Sequence, residues 1–355
     1  MNITNKNKHK NNSNFNLNLH HGLISPVNVT WEITSKCNLF CKHCLSSAHN
    51  TNIANSEELS TSEVFTVIDD LAKNMVFQIN FGGGEPTLRE DFSTILKYCH
   101  QKNIVTCIST NGTEPLIKII DNDDIKSSML KMQISLDGIT AETNDLIRGQ
   151  GSFAKTWKTI NSLLDLKIFF SVNLVLNKIN FHEIDMLYDW VIKNKLTLRI
   201  SRLRPSGRAL DNWSELMLSK KELLHFSSWL SKHINVVTGD SFFSLEDDLR
   251  QQQSSGLNLC GAAKFTCCIA PDGELYPCAF LQDKVFSAGN VRKQSIAQMW
   301  NKSESFIRIR NLDASECKSC GRYDFCHGGC LAMVYFHDNS FKSADPDCLI
   351  NCSSI

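Results

Sequence analysis

The stretch "SKCNLFCKHCLSS" at residues 35–47 sets Cys37, Cys41 and Cys44 in a CxxxCxxC run, directly after the strand-like "NVTWEIT" at 28–34. Few partners need three thiolates. A structural zinc site closes on four ligands and a disulfide consumes cysteines in pairs, so an isolated trio fits neither. A [4Fe-4S] cubane normally takes one thiolate per iron. With three supplied, the fourth iron stays open to a small molecule, and the rest of the chain must then hold that molecule.

Working outward, strand and helix patterns take turns. Strand-like runs follow at "FQINFGG" (77–83), "IVTCIST" (104–110), "KMQISLDG" (131–138), "FFSVNLVLN" (169–177) and "TLRISRLR" (197–204). A helix is predicted to open at Ser60, where Glu63 completes a capping box and Val64, Ile68, Leu71 and Met75 recur at helical spacing. Further helical stretches lie near 90–102, 115–121, 152–166 and 181–194. Six βα units in succession predict a parallel α/β sheet with right-handed crossovers, and six fall short of a full eight-unit barrel. The expected fold is therefore a partial (β/α)6 TIM-like barrel, with its chemistry at the carboxyl ends of the strands. The motifs sit there. The cysteine trio follows the first strand, "GGGEP" (82–86) ends the second, "STNG" (109–112) the third and "SLDG" (135–138) the fourth.

Composition narrows the class. A chain of 355 residues that is 42% hydrophobic can bury one large core and a smaller one. Its 37 basic and 37 acidic residues cancel, which argues against nucleic acid or an anionic membrane as partner. No run is long and apolar enough to span a bilayer, and the Asn-rich start lacks the apolar stretch of a signal peptide. Residues 1–27 are expected to form a disordered polar tail. Fifteen cysteines in such a chain read as free thiols of a reducing cytoplasm, because disulfide-dense folds are mostly small and secreted.

Together these motifs resemble the radical S-adenosylmethionine (SAM) superfamily. The resemblance implies a [4Fe-4S] cluster on Cys37, Cys41 and Cys44, with the amino and carboxylate groups of SAM on the open iron. An electron entering the sulfonium would release a 5'-deoxyadenosyl radical that abstracts hydrogen from carbons no side chain could deprotonate. Gly82, Gly83 and Gly84 let backbone approach the ligand closely, with Glu85 beside them. By resemblance, Ser109, Asn111, Ser135 and Asp137 lie along the ribose and carboxylate. Arg148 in "LIRGQGSF" is a candidate to fork onto the SAM carboxylate.

The C-terminal third carries a second pattern: Cys260, twelve residues, Gly273, four residues, Cys278, then Cys317, Cys320, Cys326, Cys330 and Cys348. It resembles the SPASM domain, here residues 257–350, after a barrel of 28–215 and a helical linker of 216–256. The resemblance implies two auxiliary [4Fe-4S] clusters, a distal one on Cys317, Cys320, Cys326 and Cys348 and a proximal one on Cys260, Cys278 and Cys330. The fourth proximal ligand stays open between Cys267, Cys268 and none. A two-residue turn at "DG" pairs Cys267 with Cys278 on one face and favours Cys267, whereas a bulge or longer loop shifts the count to Cys268. A pair of zinc sites is the alternative for this domain. Cys99, Cys107 and Cys352 read as packing or free thiols.

Longer segments, including "QISLDGITAETNDLIRGQGSF", "LRISRLRPSGRALDNWSEL" and "VVTGDSFFSL", are similar to the family of mycofactocin maturases. That family acts on the C-terminal Val-Tyr of a small ribosomal precursor peptide. It decarboxylates the tyrosine oxidatively and then joins the two residues through a carbon-carbon bond. The same chemistry is implied here, with the auxiliary clusters accepting an electron. Arg202, Arg204 and Arg208 in "RLRPSGR" are candidates for the peptide's carboxylate. The short polar segment before the first strand is too small for a leader-binding domain. A separate recognition protein is therefore expected to deliver the precursor, and a flavodoxin or ferredoxin to supply electrons. Two other readings stand beside this one. One is a SPASM enzyme making a thioether, another crosslink or formylglycine, and the other is a metal-bound scaffold without catalysis.

Overall fold

The computed structural model describes residues 23–48, 57–114, 116, 129–233, 235–238, 260–321 and 323–350. Most of the expected tail, the expected helix at 115–121 apart from Leu116, and the linker and "TGDSFF" segments beyond residue 238 lie outside the described residues.

The βα alternation appears in order. It runs β1 (Asn28–Thr34), α1 (Thr61–Lys73), β2 (Gln78–Gly83), α2 (Phe92–Gln101), β3 (Val105–Thr110), β4 (Leu130–Ser135), α3 (Ala141–Arg148) and α4 (Ser152–Asp165). Then come β5 (Ser171–Leu176), α5 (Ile184–Lys193), β6 (Thr197–Arg202), the short turns α6 (Arg208–Asp211) and α7 (Trp213–Leu216), α8 (Lys220–Lys232) and β7 (Val236–Val237). The sheet order is β7-β6-β5-β4-β3-β2-β1-β8-β9, and β1 to β7 each run parallel to their sequence neighbours. Residues from β1 through β6 line one cavity of about 870 Å³, so the sheet wraps around a hollow and remains open between β7 and β9.

Two-residue periodicity divides the strands into two faces. Val29, Trp31 and Ile33 of β1 and Ile79 and Phe81 of β2 turn outward and are fully buried. Each such side chain contributes roughly 1.5–3 kcal/mol of burial. The helices match that face. In α1 the Ser60 hydroxyl caps the Glu63 amide while the Glu63 carboxylate returns to the Ser60 amide at 2.8 Å, and Val64, Val67, Ile68 and Leu71 go under. The inner face differs from that of a filled barrel, where branched aliphatic residues pack in layers. Here β1 turns Asn28, Thr30 and Glu32 inward, and β4 turns Lys131, Gln133 and Ser135 inward. Polar walls need partners or solvent, and that keeps the interior hollow.

The C-terminal part adds to the same sheet. β8 (Thr266–Ile269) pairs parallel with β1, with Val29 opposite Cys267 and Thr30 opposite Cys268, and β9 (Leu275–Tyr276) pairs antiparallel with β8. Helices α9 (Ile296–Lys302), α10 (Glu304–Arg310), α11 (Tyr323–Cys326) and α12 (Leu331–Asp338) follow. Trp300 and Phe306 share one buried cluster with Trp31 and Phe81, so one core runs under both regions. The β8–β9 turn corrects the expected two-residue turn. The Ala270 amide donates to Glu274 O at 2.9 Å, leaving Pro271, Asp272 and Gly273 as a three-residue loop with Gly273 at φ +87°. A glycine in the left-handed region closes such a loop, and the register moves by one residue.

Candidate active site

The cysteine loop leaves the end of β1 and is fastened on three sides. At the end of β2, the Gly84 amide donates to Thr34 O at 2.8 Å and the Glu85 amide to Lys36 O at 2.7 Å. A Cβ on Gly84 would stand 2.0 Å from Lys36 O, so only glycine fits against the loop, whereas a Cβ on Gly82 would meet nothing. From α3, Ile147 O accepts the Lys42 amide at 2.9 Å and Arg148 O lies 3.9 Å from the Cys41 thiol. From the "RPSGR" segment, Arg208 donates its amide to Cys44 O (2.9 Å), Nε to Cys41 O (3.0 Å) and NH1 to Ala48 O (2.6 Å).

The trio converges electrostatically. Burial pushes the Cys41 thiol up to about 11; Arg148 opposes this, and Cys44, Asp137 and Cys37 add to it. Burial raises Cys37 as well, with Glu85 and Cys44 contributing. Burial holds Cys37 and Cys41 protonated, a bound cation converts such thiols to thiolate ligands, and with Cys44 on the same loop the trio fits a cluster. Among the described residues no three His, Cys, Asp or Glu side chains close on one point as ligands of a single ion do. A cubane spreads its thiolates over separate irons and needs a wider ring.

Of the predicted SAM residues, Gly82, Gly83, Gly84, Glu85, Ser109, Asn111, Ser135 and Arg148 line the cavity beside the trio. Their contacts assign several of them other work. Glu85 is 1% exposed; its Oε1 accepts from the Thr110 and Thr87 hydroxyls, both at 2.7 Å, and its Oε2 from the Asn111 amide at 2.7 Å. Burial raises its pKa, and the carboxylate braces β2 against β3. Asn111 donates Nδ2 to Asn38 Oδ1 at 2.8 Å, tying β3 to the cysteine loop. Asp137 is fully buried behind the lining. Its Oδ2 meets His43 Nε2 and Arg148 Nε, both at 2.6 Å, and its Oδ1 accepts the Val175 amide at 2.8 Å. Burial disfavours its charge, but His43 and Arg148 outweigh that and hold its carboxyl well below the ordinary range. Asp137 therefore orients Arg148 through Nε, on the wall of the cavity. Sequence reasoning missed His43, which lines the cavity; its place between Cys41 and Cys44, inside the metal loop, was the available signal.

The arginines of "RLRPSGR" are engaged. Arg202, 4% exposed, pairs with Asp345 and with Asp347, at 2.8 Å in the second case. Arg204 places Nε 3.2 Å from the Cys330 sulfur and its guanidinium 4.5 Å from the Phe280 ring centre. Arg208 holds the cysteine loop and stacks on Phe40 at 3.9 Å. All three line the cavity, yet these contacts join structural parts.

Two further groups of thiols lie in the C-terminal part. Burial pushes Cys278 up to about 12, with Cys260 and Cys330 as its charged neighbours. Cys348 is raised by burial and lies near Cys326 and Cys320, and the Cys320 amide bonds Cys317 O at 2.9 Å. The corrected register decides between the adjacent pair. Cys268 opposes Tyr276, which shares its face with Cys278, and Cys268 is raised by burial and by Glu32 and Cys278. Cys267 sits with Val29 on the outer face, and Arg310 is the charged neighbour that acts on it. The reasoning that favoured Cys267 rested on the two-residue turn, and the three-residue loop removes it.

This is a hollow parallel barrel whose rim carries a cluster-type cysteine loop and a ligand cradle, joined to a cysteine-rich extension: an enzyme of the radical SAM class. Comparison with known proteins agrees. Residues 31–191 match the model of the radical SAM superfamily and residues 260–321 that of an iron-sulfur cluster-binding domain, SPASM. The mycofactocin maturase MftC of Mycobacterium ulcerans is 38% identical over 341 residues, 93% of this chain and 89% of its own. An AdoMet-dependent heme synthase of Nitratidesulfovibrio vulgaris is 28% identical over 346 residues, 90% of this chain and 91% of its own. The crystal structure of Streptococcus suis SuiB bound to S-adenosylmethionine superposes with a TM-score of 0.77 at 20% identity, covering 94% of this chain and 80% of that one. The chain belongs to the radical SAM superfamily and, within it, to the family of the mycofactocin maturases. SAM and iron-sulfur clusters are its cofactors. No helix among the described residues is long and apolar enough to cross a membrane.

Proposed function

We propose that the enzyme matures a ribosomally made peptide by oxidative decarboxylation of a C-terminal tyrosine, followed by carbon-carbon crosslinking of the Val-Tyr pair. The observation that carries this reading is the 38% identity to a mycofactocin maturase across 93% of the chain, spanning barrel and extension alike. Cys37, Cys41 and Cys44 would hold the SAM-binding cluster, Cys317, Cys320, Cys326 and Cys348 the distal auxiliary cluster, and Cys260, Cys278, Cys330 and Cys268 the proximal one. Bound there, the cluster and SAM supply a carbon-centred radical that removes a hydrogen atom from an unactivated carbon.

The chain's own residues position the reactants. Arg148, aimed by Asp137, meets the SAM carboxylate in a charge-assisted pair. Gly82 leaves room for the ligand where a side chain would project, and Ser109 and Ser135 offer hydroxyls along the strand ends. The peptide enters the polar barrel, and its tyrosine Cβ faces the rim. Loss of a hydrogen atom from Cβ, of carbon dioxide and of one electron leaves an alkene ready for the crosslink. A separate recognition protein delivers the precursor, and a flavodoxin or ferredoxin reduces the enzyme. Anaerobic incubation of the reconstituted enzyme with dithionite, SAM, the recognition protein and a precursor peptide ending in Val-Tyr tests the reading by mass spectrometry. A loss of formic-acid mass is expected. Formation of 5'-deoxyadenosine with the peptide mass unchanged, or with a mass change of another kind, overturns it.

A further inference from the structure

The cavity continues past the rim into the amino-terminal half of the barrel, and the charges there are unbalanced. Arg199, the third residue of β6, and Lys131, the second of β4, both line it. Among the described residues Arg199 makes neither an ion pair nor a side-chain hydrogen bond, and Lys131 makes one long bond, 3.4 Å to Gln78 Oε1. Both act on one point. Cys107 pairs with Lys131 across β3 and β4, and its thiol, raised by burial, feels Arg199 first and Lys131 second.

The carboxylates of the cavity are committed elsewhere. Glu32, on the β1 wall, accepts from Gln282 Nε2 at 2.9 Å, and Glu85 is tied to Thr110 and Asn111. Among the described residues two cations thus face a shared hollow with no anion between them; Arg199 is half-buried and Lys131 exposed, so both are open to an anion that enters it, and a charge-assisted hydrogen bond is the strong kind. The Arg199 Cα lies two strand residues, about 7 Å, below that of Ser201 at the rim, and a long arginine side chain can span that depth. A group held by Arg199 then sits a few bonds from an atom at the rim.

We propose that Arg199, with Lys131 beside it, forms a carboxylate-binding site inside the barrel that holds the C-terminal carboxylate of the peptide. This deepens the reading given under the proposed function and rests on it. It also explains why the arginines of "RLRPSGR" can be spent on structural contacts. Decarboxylation removes the anion, so the once-modified peptide loses this anchor and can shift before the crosslink forms.

The test uses the anaerobic holoenzyme and two fluorescein-labelled peptides ending in Val-Tyr, one with a free carboxylate and one amidated, with Kd read by anisotropy. Wild type is expected to bind the acid about ten- to a hundredfold more tightly than the amide. Arg199→Gln should bind both alike, at the level of the amide. Lys131→Gln should lose a smaller part of the preference. Arg199→Lys, which keeps the charge, should retain part of it, and that separates lost recognition from misfolding. Equal affinity of wild type for acid and amide, or a preference that survives in Arg199→Gln, overturns the site. Decarboxylation seen by mass spectrometry without acid preference sinks the site alone. Acid preference without decarboxylation sinks the chemistry and leaves the site standing. Failure of wild type to bind either peptide overturns the site, while the chemistry, for which a recognition protein delivers the precursor, is judged by mass spectrometry.

Discussion

Replacing Arg202 by methionine tests whether this arginine is a clasp or a substrate contact. Its guanidinium donates NH1 to Asp345 Oδ2 at 2.9 Å and Nε to Asp347 Oδ2 at 3.0 Å, and Asp345 is 1% exposed. Removing one partner of a buried ion pair costs about 3–5 kcal/mol, because the other charge is left without compensation. Asp345 keeps two donors after the change, the amides of Cys330 and Asp347, both at 3.0 Å. That places the loss at the lower end, about 3 kcal/mol, or two orders of magnitude in the folding equilibrium. The damage should concentrate where Asp345 acts, on the segment whose Cys330 amide and Cys348 amide it anchors through its side chain and its carbonyl. Urea unfolding of the anaerobic holoenzyme, followed by circular dichroism, reads the stability. In a cycle with Asp345→Asn, the double variant should be at least about 2 kcal/mol more stable than the sum of the single effects predicts. An unchanged unfolding midpoint together with a raised KM for the peptide would refute the clasp and return Arg202 to the substrate.

Three further outcomes are expected. Gly207→Ala should dislodge the cysteine loop, since residue 207 has φ +57° and a Cβ there would stand 2.4 Å from the carbonyl oxygens of Cys44 and Leu45. Iron per chain and 5'-deoxyadenosine formation should both fall, the latter by more than about tenfold for a strain of a few kcal/mol, and wild-type values would dismiss the clamp. Cys268→Ala should change the electron paramagnetic resonance of a reduced auxiliary cluster while Cys267→Ala leaves it alone; the reverse pattern restores the two-residue register. Burial, against the Gln282 bond, pushes Glu32 from 4.5 up to about 7, so wild-type stability falls as pH rises across that interval. Glu32→Gln should therefore be stabilising, by about 1 kcal/mol more at pH 8 than at pH 6, and a gain independent of pH would count against a charged Glu32 as its source.

What the chain showed in advance follows the range of the interactions involved. Strand alternation and the Ser60–Glu63 capping box depend on neighbours a few residues apart, and β1 appears at Asn28–Thr34, the bounds its pattern predicted. The motifs at the strand ends were legible because parallel topology leaves one rim for chemistry. Contacts between distant segments were not. Nothing in "KFTCCIA" announces that Cys267 will lie beside Val29, more than two hundred positions earlier, and without that pairing its face could be judged only from the turn. The turn was misjudged because "PDG" suits both a two-residue and a three-residue loop, and only the Ala270–Glu274 hydrogen bond distinguishes them. Cys107 looked like packing because alternation tells which residues share a face but not whether that face encloses apolar core or a polar hollow. The guanidinium groups of "RLRPSGR" stand as substrate candidates in the sequence for a similar reason. A sequence shows a donor fork, and the acceptor it finds depends on the fold.

The placement of those forks explains how one enzyme of this size can align three sites. Arg199 and Arg202 stand on β6, and Arg204 and Arg208 on the segment that leaves it. Arg199 points into the hollow, Arg202 reaches the buried Asp345 between Cys330 and Cys348, Arg204 touches the Cys330 sulfur, and Arg208 gathers the carbonyls of the loop that carries Cys37, Cys41 and Cys44. A strand hydrogen-bonded on both sides, to β5 and β7, moves little. Sites hung from it keep their mutual distances. If that is the purpose of the segment, conservative changes at Arg202, Arg204 or Arg208 should perturb two sites at once. A change at Arg199 should perturb the peptide alone, and this contrast can be read from iron content and peptide affinity measured on the same four variants.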